Sequence, residues 1–329
     1  MIVKIERYFN YPDIKRQTPN FTFQWGDFIF TEEDVDECDY LIILDHPKKD
    51  FCIKVNKNNI IHICLEPPNE VSKYRQYANK NVKLIFNQLD INKNNILSHG
   101  ALPWHIGKDY DFLNQLKPEN LQKENNIVWI TSDQRSSKGH EKRMNFLNNI
   151  KEMPFINLYG RGINPIDDKW DVLSRSKYAI AYENFQSDYY WTEKITDCFL
   201  SYTMPLYFGC DRIDNFFPKK SFIQIDPSDK HIKLFLKEIT ESNKWEENLE
   251  EISKARELIL NKYQLFPFIS NYVKAIESVN GLSDFQSKEL ISFKGGNAYF
   301  DNFPFKIKVE KLTRKITHKL IAKKIISGK

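Results

Sequence analysis

Apolar residues recur along this chain in two rhythms. Short, nearly continuous apolar runs ended by turn residues occur at Ile2–Ile5, Tyr40–Leu44, Ile60–Leu65 and Val82–Phe86. That is the pattern of strands buried on both faces of a parallel sheet. Phe21–Trp25 is a further candidate, and such runs return at Asn126–Thr131, Phe155–Tyr159, Tyr178–Tyr182, Leu206–Phe208 and Ile223–Ile225. Between them the period lengthens. Arg143, Phe146 and Ile150 share one helical face, and Ile195, Cys198, Phe199 and Tyr202 share another. Val71–Asn79, Trp170–Lys177 and Glu238–Tyr263 also read as helices. Strands alternating with helices predict an α/β chain with parallel sheets. The polar stretch 111–125, broken at Leu116–Asn120, divides it into two halves.

One unit organises the second half. Tyr178–Tyr182 leads into a polar loop, Thr192 is placed to cap a helix, and Pro205 closes it before the next strand. The loop lies at the carboxyl end of a strand, where open α/β sheets bind ligands, and it feeds a helix N-terminus, which favours anions. Lys194 in that first turn runs against the helix dipole unless an anion sits beside it.

Composition adds limits. With 329 residues, 41% hydrophobic, the chain is long enough for two domains with real cores. Five scattered cysteines (38, 52, 64, 198 and 210), none in a C-x-x-C pair, suggest free thiols in a reducing compartment rather than a disulfide framework or zinc site. There is no signal peptide and no run of eighteen apolar residues. Residues 306–329 hold nine Lys or Arg against one Glu, a net of +8; the whole chain is +4, so residues 1–305 carry −4. Val309, Leu312, Ile316, Leu320 and Ile321 form one stripe of that tail, predicting a basic amphipathic helix suited to an anionic membrane surface. Nucleic acid is not the expected partner, because the basic charge is confined to the tail.

Candidate chemistry is sparse. Asp34 and Asp36 match a D-x-D metal motif but stand in an acidic run before a strand, and they read as a solvated face. Glu66 follows the buried run Ile60–Leu65, so its carboxylate is expected at a strand end, held by Pro67 and Pro68. Arg143 opens an independent helix after a Ser/Gly/Lys-rich loop and has the planar fork that suits phosphate.

Glu183-Asn184-Phe185, then Tyr190-Trp191-Thr192-Glu193-Lys194, Pro205–Gly209 and Phe216–Ile223 together resemble the donor-binding motif of family 10 glycosyltransferases, the α1,3/α1,4-fucosyltransferases. One departure is Phe185 where the family usually has Ser. Arg143 with Phe146 and Ile150, and Tyr159-Gly160, also resemble family elements.

The resemblance implies a GT-B type architecture, two Rossmann-like domains facing across a cleft. Residues 1–115 would be the acceptor side, 116–280 the donor-nucleotide domain, and 281–329 an extension ending in the basic helix. It implies a bacterial-type, inverting, GDP-fucose-dependent transferase acting on a surface glycan such as a lipopolysaccharide or capsule precursor. Such an enzyme would work in the cytoplasm at the inner face of the membrane. Glu66 would be the catalytic base. Arg143, Tyr159, Gly160, Asn184, Tyr190, Glu193 and Lys194 would bind the donor, with Arg135 or Lys138 as possible partners of Arg143. No metal or other cofactor would be obligatory. The alternatives are a transferase using a different nucleotide sugar, or a non-catalytic glycan-binding scaffold at the membrane.

Overall fold

The computed structural model describes residues 1–67, 82, 84–90, 95–100, 103–135, 137–280, 287–296, 304–306, 308, 309, 312, 313 and 316. The predicted helix Val71–Asn79 lies outside them, as does most of the predicted C-terminal helix.

The first half is built on β1 (Ile2–Arg7), β2 (Gln24–Trp25), β3 (Phe28–Thr31), β4 (Tyr40–Leu44), β5 (Phe51–Val55), β6 (Ile60–Ile63), β7 (Leu84–Asn87) and β8 (Asn95–Leu97). Seven of these form one sheet in the order β2-β3-β1-β4-β6-β7-β8, parallel apart from the β2–β3 pair. The central strands β1, β4 and β6 are the continuous apolar runs of the sequence, and all of β4 and β6 is buried. Every residue of such a strand loses apolar surface to one face or the other, so alternation is absent.

The polar stretch after residue 109 starts as a helix, α1 (Tyr110–Gln115), because the Asp109 carboxylate accepts the Phe112 amide as its N-cap. The second half then alternates strand and helix as far as β12, with only a 3-10 turn at Ile213–Asn215 before its last strand. It comprises β9 (Glu124–Ile130), α2 (Lys138–Ile150), β10 (Ile156–Tyr159), α3 (Trp170–Leu173), β11 (Ser176–Tyr182), α4 (Glu193–Leu200), β12 (Met204–Phe208) and β13 (Ile223–Gln224). Its five strands form an all-parallel sheet in the order β10-β9-β11-β12-β13.

Two expectations change. The helical region Glu238–Tyr263 is not one helix but α5 (Ile232–Thr240), α6 (Lys244–Glu247), α7 (Leu249–Leu258) and a π-turn at Ile259–Tyr263. Ser242 helps to break it, since its hydroxyl donates to the Ile239 carbonyl at 2.8 Å in place of a backbone amide. The next helix, α8 (Leu265–Asn280), was counted with the donor half. Its residues Leu265, Phe266, Ile269 and Val273 are instead buried in the core of the first sheet, with Val3, Ile5, Phe30 and Ile42. A final strand, β14 (Glu289–Phe293), pairs antiparallel with β5, so part of the predicted C-terminal extension also belongs to the first half.

The returning helix is pinned by Phe266, fully buried and edge-on to Phe30 and Phe23 at ring-centroid distances of 4.8 and 5.6 Å. Phe266→Ala should cost about 3–5 kcal/mol by loss of burial and formation of a cavity. Urea denaturation checks this, and a cost under about 1 kcal/mol, the level of a surface change, would mean that α8 is not integral to the first core.

Candidate active site

In the second sheet β9 and β11 are neighbours whose connections leave in opposite directions, to β10 on one side and β12 on the other. Such a switch point opens a crevice at the carboxyl ends of the two strands. The loops that border it are Thr131–Ser137 after β9 and Glu183–Trp191 after β11.

These loops touch. A Cβ at Gly139, in the first turn of α2, would lie 1.8 Å from the Asn184 carbonyl oxygen, so only glycine lets the helix seat there. One turn on, Arg143 is 5% exposed. Its Nη1 donates to Asn184 Oδ1 at 3.0 Å and its Nη2 to the Ser132 carbonyl at 2.9 Å. Burial lowers the pKa of this guanidinium, which nevertheless stays cationic. Its Nε and the Thr131 hydroxyl are buried without a hydrogen-bond partner among the described residues. Both residues line a cavity of about 40 Å³ together with Lys169, Lys194 and Asp197. That volume holds water but not a nucleotide, so a larger ligand can meet these groups only across the mouth.

Glu183 closes the loop from the other end. It is 1% exposed and accepts the Thr192 amide at 2.8 Å and the Thr192 hydroxyl at 2.8 and 2.9 Å. Thr192 is the N-cap of α4, as expected from the sequence. Lys194 Nζ lies 3.3 Å from both Glu183 Oε2 and Glu193 Oε1. Burial raises the Glu183 pKa against the pull of Lys194. Burial opposes the charge on Lys194, but Glu183 and Glu193 win and raise its pKa. Glu193 is likewise held low by Lys194, Lys169 and His105 despite burial.

The first half contributes a second cluster at the carboxyl ends of β1, β4 and β6. Tyr8 donates its hydroxyl to Glu66 Oε1 at 3.2 Å and stacks on His46, with ring centroids 4.3 Å apart. Asp45, at a left-handed φ of 57°, accepts the backbone amides of Leu65 at 3.0 Å and Glu66 at 3.3 Å. Glu66 is thus set at its strand end by Asp45; Pro68 lies outside the described residues. Tyr190 links the clusters. Burial first, then Glu183, Glu193, Glu66 and Asp45, push its phenol pKa well up, so charge from both halves reaches it.

Trp104 and Ile106 are buried in the core of the second sheet, so the segment before α1, expected in the first half, packs with the second. Within it Asp197 accepts the His105 amide at 2.8 Å and Asp168 accepts the Gly107 amide at 2.8 Å. Contacts that cross to the first half include the Trp104 amide donating to Gln17 Oε1 at 3.1 Å and the His99 ring, after β8, stacking on Trp191 at 4.2 Å.

The structure therefore brings Arg143, Asn184, Glu193 and Lys194 together, and buries Tyr190 on the same loop against Phe185. Tyr159 ends β10 half-buried. Gly160 has φ 121°, and a Cβ there would lie 1.8 Å from the Thr131 carbonyl, so the chain's own packing demands the glycine. Arg135 and Lys138 make no ion pair among the described residues. Asp34 pairs with Lys49 at 3.1 Å on the exposed surface. Among the described residues no cluster of three His, Cys, Asp or Glu could hold a metal. A wider groove of about 870 Å³ runs between α2 and the ends of β12 and β13, and it contains none of the nominated residues.

A parallel α/β sheet with paired cations and carboxylates at its switch point defines an anion-receptive, nucleotide-type crevice. Residues 120–248 match the family model for the C-terminal region of glycosyltransferase family 10 (fucosyltransferase), and this part of the chain is a domain of that family. Over 129 residues the chain is 27% identical to the Homo sapiens 4-galactosyl-N-acetylglucosaminide 3-alpha-L-fucosyltransferase 9, covering 37% of this chain and 35% of that protein. Over 60 residues it is 37% identical to the alpha-(1,3)-fucosyltransferase FucT of Helicobacter pylori, covering 18% of this chain and 13% of that protein. The matches thus span about a third or less of these relatives. A solved α1,3-fucosyltransferase with GDP-fucose superposes with a TM-score of 0.43 at 15% identity, over 80% of this chain and 91% of that one.

The buried Glu183 makes stability pH-dependent. Above pH 4.5 an exposed glutamate has lost its proton, whereas Glu183, with its raised pKa, keeps it when folded until that higher value is passed. Folding therefore binds a proton in this window, and the carboxyl's contribution weakens as pH rises through it. In urea denaturation from pH 4.5 upward, the wild type should lose ground to Glu183→Gln; a difference independent of pH would refute the raised value.

Proposed function

We propose that this protein is an inverting transferase that moves fucose from GDP-fucose to a glycan hydroxyl in α1,3 linkage. The observation that supports this best is that Arg143 and Lys194, from independent helices, line the same small cavity in the region that matches the family 10 model.

In this scheme the acceptor oxygen attacks the anomeric carbon of fucose as the bond from that carbon to the diphosphate oxygen breaks. Glu66 takes the acceptor hydroxyl proton. Arg143 and Lys194 stabilise the charge that develops on departing GDP, doing so as fixed cations without an obligatory ion. Asn184, Tyr190 and Glu193 hold hydroxyls of the ribose or the sugar, and Tyr159-Gly160 flanks the nucleotide. Tyr8 and Asp45 orient the base.

The acceptor is proposed to be a bacterial surface-glycan precursor carried at the cytoplasmic face of a membrane. Support comes from the tail, where the described positions Phe305, Val309, Leu312 and Ile316 expose apolar side chains among its lysines. Among the described residues no helix is long and apolar enough to cross a membrane.

A different nucleotide sugar is the second reading. Phe185, in place of the family's usual Ser, packs edge-on to Tyr190 at 5.7 Å and reshapes the wall where the sugar would sit.

Lys194→Ala should weaken GDP binding about 10- to 100-fold, the worth of a charge-assisted hydrogen bond. Calorimetric titration with GDP checks it, and unchanged affinity would remove the crevice as the diphosphate site. Glu66→Gln should bind GDP normally yet lose on the order of 100-fold or more in turnover. Mass spectrometry of products from GDP-fucose and a mixed glycan panel reads this out, and normal turnover would eliminate Glu66 as the base.

A further inference from the structure

We propose that Lys169 is a positioning residue for the donor, the cation that keeps Glu193 in place when Lys194 turns to a diphosphate. This rests on the reading of the crevice as a donor site.

Lys194 cannot serve every anion at once. Its ammonium now lies 3.3 Å from Glu183, 3.3 Å from Glu193 and 3.0 Å from the Thr192 hydroxyl. A diphosphate arriving at the mouth draws that ammonium outward. Glu183 then still has both Thr192 donors. Glu193 has no such pair. Its remaining cation is Lys169, whose Nζ lies 4.0 Å from Glu193 Oε1.

Lys169 is built to stay. It donates to Asp197 Oδ2 at 2.7 Å, and Asp197, 1% exposed, also accepts the His105 amide. The neighbouring Asp168 accepts the Gly107 amide. Lys169 is thus tied into the packed wall of the second half, with its ammonium on the cavity that Arg143 and Lys194 also line. The arrangement has a fixed cation and a movable one on the same carboxylate. The fixed one holds Glu193 ionised and aimed at a donor hydroxyl while the movable one binds phosphate.

A purely structural lysine would behave differently, and a double-mutant cycle separates the two. GDP-fucose binding is measured by calorimetry on the full chain for wild type, Lys169→Met, Glu193→Gln and the double variant. Lys169→Met should weaken GDP-fucose binding about tenfold, within the coupling range of residues in contact, and raise KM more than it lowers kcat. Lys169→Arg should restore most of the loss. In the Glu193→Gln background Lys169→Met should cost less than about threefold, because there is no carboxylate left to hold. An equal loss in both backgrounds, or no loss in the first, overturns the proposal. If Lys169→Met does not fold, Lys169→Gln in the same two backgrounds carries the comparison. Failure of the wild type to bind GDP-fucose would instead sink the donor-site reading itself.

Discussion

The crevice depends on one buried carboxylate. Glu183 ends the most buried strand of the second sheet and takes both the amide and the hydroxyl of Thr192, nine residues later. That closure sets the loop's length and seats the N-terminus of α4. Asn184 then meets Arg143 on one side, and Glu193 and Lys194 face the same space on the other. Burial makes the closure costly to break. A donor left unpaired there forfeits about 1–3 kcal/mol, and an uncompensated carboxylate forfeits more. Thr192 and Lys194 are what keep Glu183 tolerable in place.

Much of this was legible in the sequence because it is local. The strand, polar loop, Thr cap and apolar face of α4 lie within one stretch, and their spacing predicts their arrangement. Arg143 could be picked out because its helix has its own period. What could not be read is what depends on distant pairing. Nothing near Lys169 announces Asp197, and nothing near Asp45 announces that it holds the amide of Glu66 twenty-one residues away. Glu183 was visible within the motif, but its role as the closing acceptor needed the third dimension. Gly160 looked like an approach for a ligand, and the structure shows that the Thr131 carbonyl already fills that need. The expected domain range 116–280 follows chain order, and only packing shows that residues 265–280, with Phe266 beside Phe30, belong to the first half.

That crossover matters to how the halves move. Residues 265–280 and 289–293 return to the first half after the second is complete, so the chain passes the joint more than once. Gln17 and Gln264 bond side chain to side chain at 3.2 Å within the joint, both fully buried or nearly so. Two halves tied by a single linker are expected to reorient freely. Here the second crossing, the bond from the Trp104 amide to Gln17 and the His99–Trp191 stack restrict that freedom.

Charge completes the constraint. Around the small cavity Glu183, Glu193 and Asp197 stand against Arg143, Lys169 and Lys194, so the charges there are balanced. A bare phosphate must compete with two carboxylates for Lys194. Under the proposed function, a nucleotide sugar would add hydroxyls for Glu193 to accept hydrogen bonds from, and those contacts would offset the ion pairs it disturbs. Such internal neutralisation is a device of specificity, since it penalises ligands that offer charge alone. In the proposed reaction the same feature suits product release. Once the sugar has left, GDP lacks part of what repaid the exchange, and the carboxylates reclaim the lysine.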